Sequence, residues 1–115
     1  NSYFMIRNVS TGKVVSQKEI ICKGVFSQGW GLMFRRRANL VMIFDGLRKI
    51  SLHNFFVFYP LEILVLDESF KVVEIKKRFR PFTLFTSSMK GKILVELGLE
   101  ESKGLVRIGD VLSID

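Results

Sequence analysis

SLHNFFVFYPLEILVLD, residues Ser51 to Asp67, carries the one histidine of the chain and an asparagine into a run of aromatic and aliphatic side chains. As a membrane helix the run fails: Pro60 and Glu62 interrupt Phe55 to Leu66, and a spanning helix takes roughly 18 or more apolar residues in succession. With period two, Ser51, His53, Phe55, Val57 and Tyr59 take one face, and Leu52, Asn54, Phe56 and Phe58 take the other. Both faces are mostly apolar, which predicts a central strand covered on both sides, as in a sandwich or a closed barrel. Pro60 has no N–H to give to a ladder, so a bulge, bend or edge is expected there before a second strand, Leu61 to Leu66.

Working outward, short runs of β-branched and aromatic residues punctuated by Gly, Asn and Ser continue the pattern, and no window sustains a long helical period. Strands are expected near Tyr3–Arg7, Lys13–Val15, Ile20–Lys23, Leu40–Phe44, Val72–Lys77, Lys92–Glu96 and Val111–Ile114, besides the two in the opening stretch. Asn8 to Gly12 and Asp67 to Ser69 have turn chemistry, and Gly109-Asp110 fits a tight turn before the last strand. Helix is expected only for a turn or two around Ser27–Phe34 and Glu100–Lys103. The fold class is mainly β: a compact β-sandwich or barrel with one or two short helices, forming one domain over residues 1–115.

At 115 residues, with 48% hydrophobic residues and eleven Phe, the chain supports one packed core. A lone cysteine, Cys22, excludes an internal disulfide, and one Cys with one His excludes the usual zinc sets of three or four ligands. Asn8-Val9-Ser10 matches a glycosylation sequon, a pattern that recurs by chance. The first residues show no basic, apolar and cleavage regions in succession, so a cytoplasmic location is expected. The net charge of +7 is uneven: residues 1–95 carry 16 basic and 6 acidic side chains, residues 96–115 carry 2 and 5. That asymmetry could attract an anionic partner.

Four blocks together carry a resemblance: GLMFRR at Gly31–Arg36, HNFFVFYPLEILVLD at His53–Asp67, VVEIKK at Val72–Lys77 and LVRIGDVL at Leu105–Leu112. In order and spacing, over about Glu19 to Ile114, the chain resembles the domain-of-unknown-function 192 family of archaea and bacteria. Members of that family typically show G-L-M-x-R, an aromatic-rich block ending in P-[IL]-D-[IV]-x-F-L-D, and a closing Gly-Asp pair. Here Glu62 stands where the family commonly has Asp, and HNFFVF replaces the tryptophan-methionine-lysine-asparagine form of many bacterial members. The carboxylate is preserved and a lysine is missing. The resemblance implies a small β-rich sandwich or barrel and no assigned activity; bacterial relatives often carry export signals.

Candidate functional residues gather in two places. The first is a pocket where the Trp30 to Arg35 loop meets the His53, Asn54 and Glu62 side of the expected central strand. There Trp30 and Phe56 would offer stacking surface, Arg35 an anionic anchor, and His53, Asn54 and Glu62 orienting hydrogen bonds, a mix suited to a sugar or a small carboxylated metabolite. The competing reading is structural: His53 and Asn54 bond to neighbouring backbone, and Arg35 pairs with Glu62 or Asp67. The second place is basic. Arg35, Arg36 and Arg37, with Lys76, Lys77, Arg78 and Arg80 interleaved with Phe79 and Phe82, combine phosphate-binding charge with base-stacking rings. Its competing reading is a solvated hairpin end whose phenylalanines dock into the core.

Catalytic patterns are incomplete. GVFSQGWG at Gly24–Gly31 lacks the Gly-Lys-Ser/Thr ending of a phosphate loop, and Ser87-Ser88-Met89-Lys90 lacks the partner motifs of a serine-lysine enzyme. Cys22 and His53 both sit in apolar strand patterns where inert burial is normal. Glu62 and Asp67, five apart, project to opposite faces if both lie on a strand. The leading expectation is thus a non-enzymatic domain that binds a small ligand or a protein partner, without a cofactor; nucleic-acid association is second, and a hydrolase with an unrecognised site third.

Overall fold

The computed structural model describes residues 3–23, 40–53, 61–80, 83–98 and 104–115. Among them all regular structure is strand: β1 Tyr3–Asn8, β2 Lys13–Lys23, β3 Leu40–Arg48, β4 Ser51–His53, β5 Leu61–Leu66, β6 Val72–Phe79, β7 Leu84–Thr86, β8 Gly91–Gly98 and β9 Leu112–Ile114. The mainly β expectation holds. Both expected helices, 27–34 and 100–103, lie outside the described residues. No helix among the described residues is long and apolar enough to cross a membrane.

Seven strands form one sheet in the order β6-β5-β8-β3-β2-β1-β9, and β4 pairs with β7 in a second, two-stranded sheet. The large sheet is antiparallel except at β2 and β3, which run parallel from Ile20 opposite Leu40 to Lys23 opposite Ile43. A parallel pair needs a crossover of about a dozen residues or more, and sixteen separate Lys23 from Leu40.

LEILVL explains the centre. All six residues of β5 are buried, because β6 and β8 flank the strand and side chains cover both of its faces. Ile63 and Val65 join Met42, Phe44 and Leu94 on the face beneath the two-stranded sheet, where Ile50, Phe79 and Phe85 complete the cluster. Leu64 and Leu66 turn the other way, toward Val41, Val95, Leu97, Ile6, Val15 and Leu112. Each fully buried aliphatic side chain of this kind contributes about 1.5–3 kcal/mol. Packing is tight where β8 begins: a Cβ on Gly91 would run into Val65 Cγ1, with Leu66 O at 3.1 Å and Ile50 Cδ1 at 3.3 Å.

The outer strands curl toward each other until the sheet edges touch. Lys71 and Val111 form one isolated bridge. Around it Val72 N donates to Asp110 O (2.8 Å), Gly109 N to Val72 O (2.8 Å) and Leu112 N to Phe70 O (2.9 Å). One bridge joins β6 to the start of β9, so the edges meet without closing a continuous barrel. Gly109 sits at φ 96°, a backbone setting open to glycine and strained for other residues.

Three expectations need correction. Ser51 does not open a central strand of the large sheet: Ser51–His53 pair with β7 in the small sheet, and among the described residues β5 is the strand buried along its whole length. Asn54 to Pro60 lie outside the described residues. β2 is one strand of eleven residues and not two, since its polar middle still pairs, with register shifts in the β1–β2 ladder. β3 runs on past Phe44 to Arg48, and β7 was not expected at all.

Candidate functional site

Of the expected pocket, Trp30, Arg35, Asn54 and Phe56 lie outside the described residues, as do Arg36 and Arg37 of the basic group. His53 is placed by its backbone, paired with Leu84 of β7. Glu62 is placed completely. It stands second on β5, opposite Leu97 of β8, and only 6% of its surface is exposed. The small sheet therefore carries His53 and the large sheet carries Glu62, so nine residues of sequence do not put them on one strand.

A buried carboxylate needs donors, because removing it from water without hydrogen bonds or a counter-charge is costly. Among the described residues none donates a hydrogen bond to Glu62. Its neighbours on β5 are wholly apolar, Leu61 on one side and Ile63 to Leu66 on the other. A second buried acid, Glu96, lies on β8 between Ile63 and Leu40. Since Glu62 shares its register position with Leu97 and Glu96 shares one with Ile63, the two carboxylates point to opposite faces of the sheet. They form no acid-base pair.

The other neighbour of Glu62 is a bulge. Leu61 pairs with Phe79 and Ile63 with Lys76, so the single residue Glu62 faces two, Lys77 and Arg78. Arg78 takes the left-handed conformation at φ 58°. A bulge of this kind inserts a residue, sharpens the local twist and re-aims side chains. Lys76, Lys77, Arg78 and Arg80 are all exposed. Register thus brings together Glu62 and two cations that the sequence assigned to separate hypotheses; nothing in local spacing signals this, because it depends on which strand pairs with which.

Phe79 corrects the basic hypothesis. It is buried and meets Phe85 edge to face, with ring centroids 6.2 Å apart and planes at 61°. A ring committed to the core cannot stack on a base, so the reading in which this phenylalanine docks inside is the observed one. Phe82 lies outside the described residues. Ser87 has a structural job as well: buried, it accepts a hydrogen bond from Ile50 N at its Oγ (2.8 Å), while its own N–H donates to Ile50 O (2.8 Å). That pair of bonds extends the pairing of β4 and β7 by one step beyond Ser51 and Thr86.

Sequence reasoning passed over the polar node at the sheet seam. Asn8 is fully buried; its Nδ2 donates to Leu105 O (2.9 Å) and Asp110 Oδ2 (2.8 Å), and its Oδ1 accepts from Ser10 N (3.1 Å). Asp110 Oδ2 accepts in addition from Arg107 N (2.9 Å). The Asn8 amide, then the Arg107 N–H, then the Arg107 charge hold the Asp110 carboxyl below its ordinary range, against a small opposing effect of desolvation. With its amide so engaged, Asn8 is not a glycosylation acceptor in the folded chain. Among the described residues no group of three or more His, Cys, Asp or Glu is arranged to hold a metal ion.

No family model matches the chain. A UPF0127 protein of Thermococcus sibiricus is 28% identical over 96 residues, covering 80% of this chain and 62% of that protein. The chain thus spans less than two thirds of the length of this relative. Among solved structures, a candidate transcription regulator from Sinorhizobium meliloti 1021 superposes with TM-score 0.75 at 18% identity, over 97% of this chain and 92% of that one. A protein of unknown function from Novosphingobium aromaticivorans gives TM-score 0.67 at 14% identity, over 96% and 83%. The structural likenesses show a shared fold, and the sequence likeness is to an uncharacterised family of small proteins.

Proposed function

We propose that the chain is a non-enzymatic binding module of the domain-of-unknown-function 192 type, and that its ligand is a sugar or a small hydroxylated carboxylate held at Glu62. One observation carries this reading: an acidic side chain buried to 6% exposure on an otherwise apolar central strand, with no donor among the described residues. Ligand hydroxyls would donate to its carboxylate. The bulge across from Glu62 supplies charge of the opposite sign, and Arg78 offers a forked donor suited to a ligand carboxylate. Trp30, Arg35, His53, Asn54 and Phe56 complete the proposed pocket, with the aromatic rings as stacking planes. A cytoplasmic location goes with this reading, and cell fractionation checks it.

Thermal-shift screening against sugars, sugar acids and other small carboxylates tests it. Stabilisation that survives high salt and disappears in Glu62→Gln, with the unliganded melting temperature little changed, is the expected result. Silence across the screen, or a shift that Glu62→Gln retains, ends it.

Nucleic-acid association is the second reading, favoured by exposed Lys76, Lys77, Arg78 and Arg80 on and just beyond the edge strand β6. It predicts oligonucleotide affinity that falls steeply with salt as phosphate contacts release counterions. Burial of Phe79 removes one of its stacking surfaces.

A further inference from the structure

The whole net charge of the chain comes from two stretches that the fold joins. Residues 45–53 hold Arg48 and Lys49 against Asp45, and residues 76–92 hold six basic side chains and no acidic one; the rest of the chain carries ten of each sign. Arg48 pairs with Gly91, Ser51 with Thr86, and Ile50 is bonded to Ser87. Glu74, the nearest acid on β6, is occupied: its Oε1 accepts from Ser88 N and Met89 N, both at 2.8 Å.

Cations alone would be ordinary. Lysines and a bulge on an edge strand guard against unwanted strand pairing, which accounts for Lys76 to Arg78. It does not account for Lys49 and Lys90, which lie in the connections of the small sheet to β3 and β8, where large apolar side chains are also left in solvent. Leu84 on β7 is 72% exposed, Met89 51% and Leu47 48%. Leu84 neighbours Phe85, which turns inward, so the outer face of the small sheet presents the leucine.

We propose that the small sheet and the segments flanking it dock on an anionic lipid bilayer, with Leu84 and Met89 entering the headgroup region and Lys49, Arg80 and Lys90 meeting the lipid charges. Apolar side chains set among cations fit that occupant, because insertion removes them from water while the charges stay at the interface. A nucleic acid would use the cations and leave Leu84 and Met89 without a role, since neither has a ring to stack on a base. The inference is independent of Glu62.

Co-sedimentation of the purified chain with vesicles tests it, using phosphatidylcholine alone and phosphatidylcholine mixed with phosphatidylglycerol. The chain is expected to pellet with the mixed vesicles and not with the neutral ones. Lys49→Glu and Lys90→Glu should each weaken binding by about fivefold or more, and Leu84→Ser with Met89→Ser on the order of tenfold. Both pairs are exposed, and an unchanged melting temperature confirms that the variants fold. No pelleting with anionic vesicles overturns the proposal. So does binding that the Leu84→Ser, Met89→Ser variant keeps in full, or oligonucleotide binding by a chain that ignores vesicles.

Discussion

Asn8 and Glu62 are both buried polar residues on strands of one sheet, and their surroundings differ in kind. Asn8 uses its amide hydrogens on Leu105 O and Asp110 and its oxygen on Ser10 N. Glu62 has apolar neighbours along its strand and a cationic bulge across from it. A polar group whose bonds are all made within the fold is a fastening, whereas one buried without described donors is where a ligand has something to add. The difference separates stability from binding, and substitutions at the two sites should move different measurements.

The largest effect is expected at the fastening. Asn8→Ala removes three hydrogen bonds made by a fully buried side chain and leaves the half-buried Leu105 carbonyl unmatched, so chemical denaturation should show a loss of about 2–4 kcal/mol. A change under about 1 kcal/mol, the ordinary worth of a single hydrogen bond, would mean that the node is incidental. Gly91→Ala tests packing where β8 begins: the new methyl has to displace Val65 on the fully buried β5, and about 1–3 kcal/mol should be lost. At Glu62 the sign should reverse. Replacing a buried acid by an apolar residue of similar size is often neutral or stabilising, so Glu62→Leu should hold or raise stability by up to about 2 kcal/mol while abolishing ligand-induced thermal shifts. Strong destabilisation by Glu62→Leu would break the comparison and make Glu62 a second fastening. Arg78→Gly should relieve the left-handed strain and add about 1 kcal/mol, read in the same denaturation series.

The smallest expected effect is in the acid limb of stability. Asp110 has a folded-state pKa below its unfolded value of about 3.8. Its contribution is therefore present above that value and is lost as the pH falls through the lower folded pKa. Urea midpoints of the native chain and of Asp110→Asn, followed from about pH 5 downward, should converge at the acid end; a constant gap would assign the effect to geometry and not to charge.

Much of the architecture could be read from residue pattern, and what could not was non-local. LEILVL could be read as a strand from its apolar run, but its burial on both faces could not, because that depends on β6 and β8 flanking it. SLH began a stretch with a two-faced appearance and joined the small sheet, since apolar alternation says that a strand is buried but not which partner buries it. Leu84–Thr86 is three residues long and pairs only because Ser51–His53 reaches it, so it has no signal of its own. Asp45-Gly46 looks like a turn and continues β3 to Arg48. At the candidate site, Glu62 stood out as the acid in an apolar run. The facing bulge did not, because Lys77 and Arg78 become its neighbours through a register shift that only the paired strands define.

The seam at Lys71 and Val111 bears on how the protein is made. β1 receives β2 after a short turn, but its other side waits for β9, and Asn8 waits for Leu105 and Asp110, about a hundred residues later. On a ribosome, β1 would emerge early and keep an open edge until residues 105–114 had followed. Pairings this distant in sequence form slowly, and an edge held open for that time invites the wrong strand. That interval is where β1 is open to mispairing, so the value of a chaperone that shields it is greatest before residues 105–114 have been made.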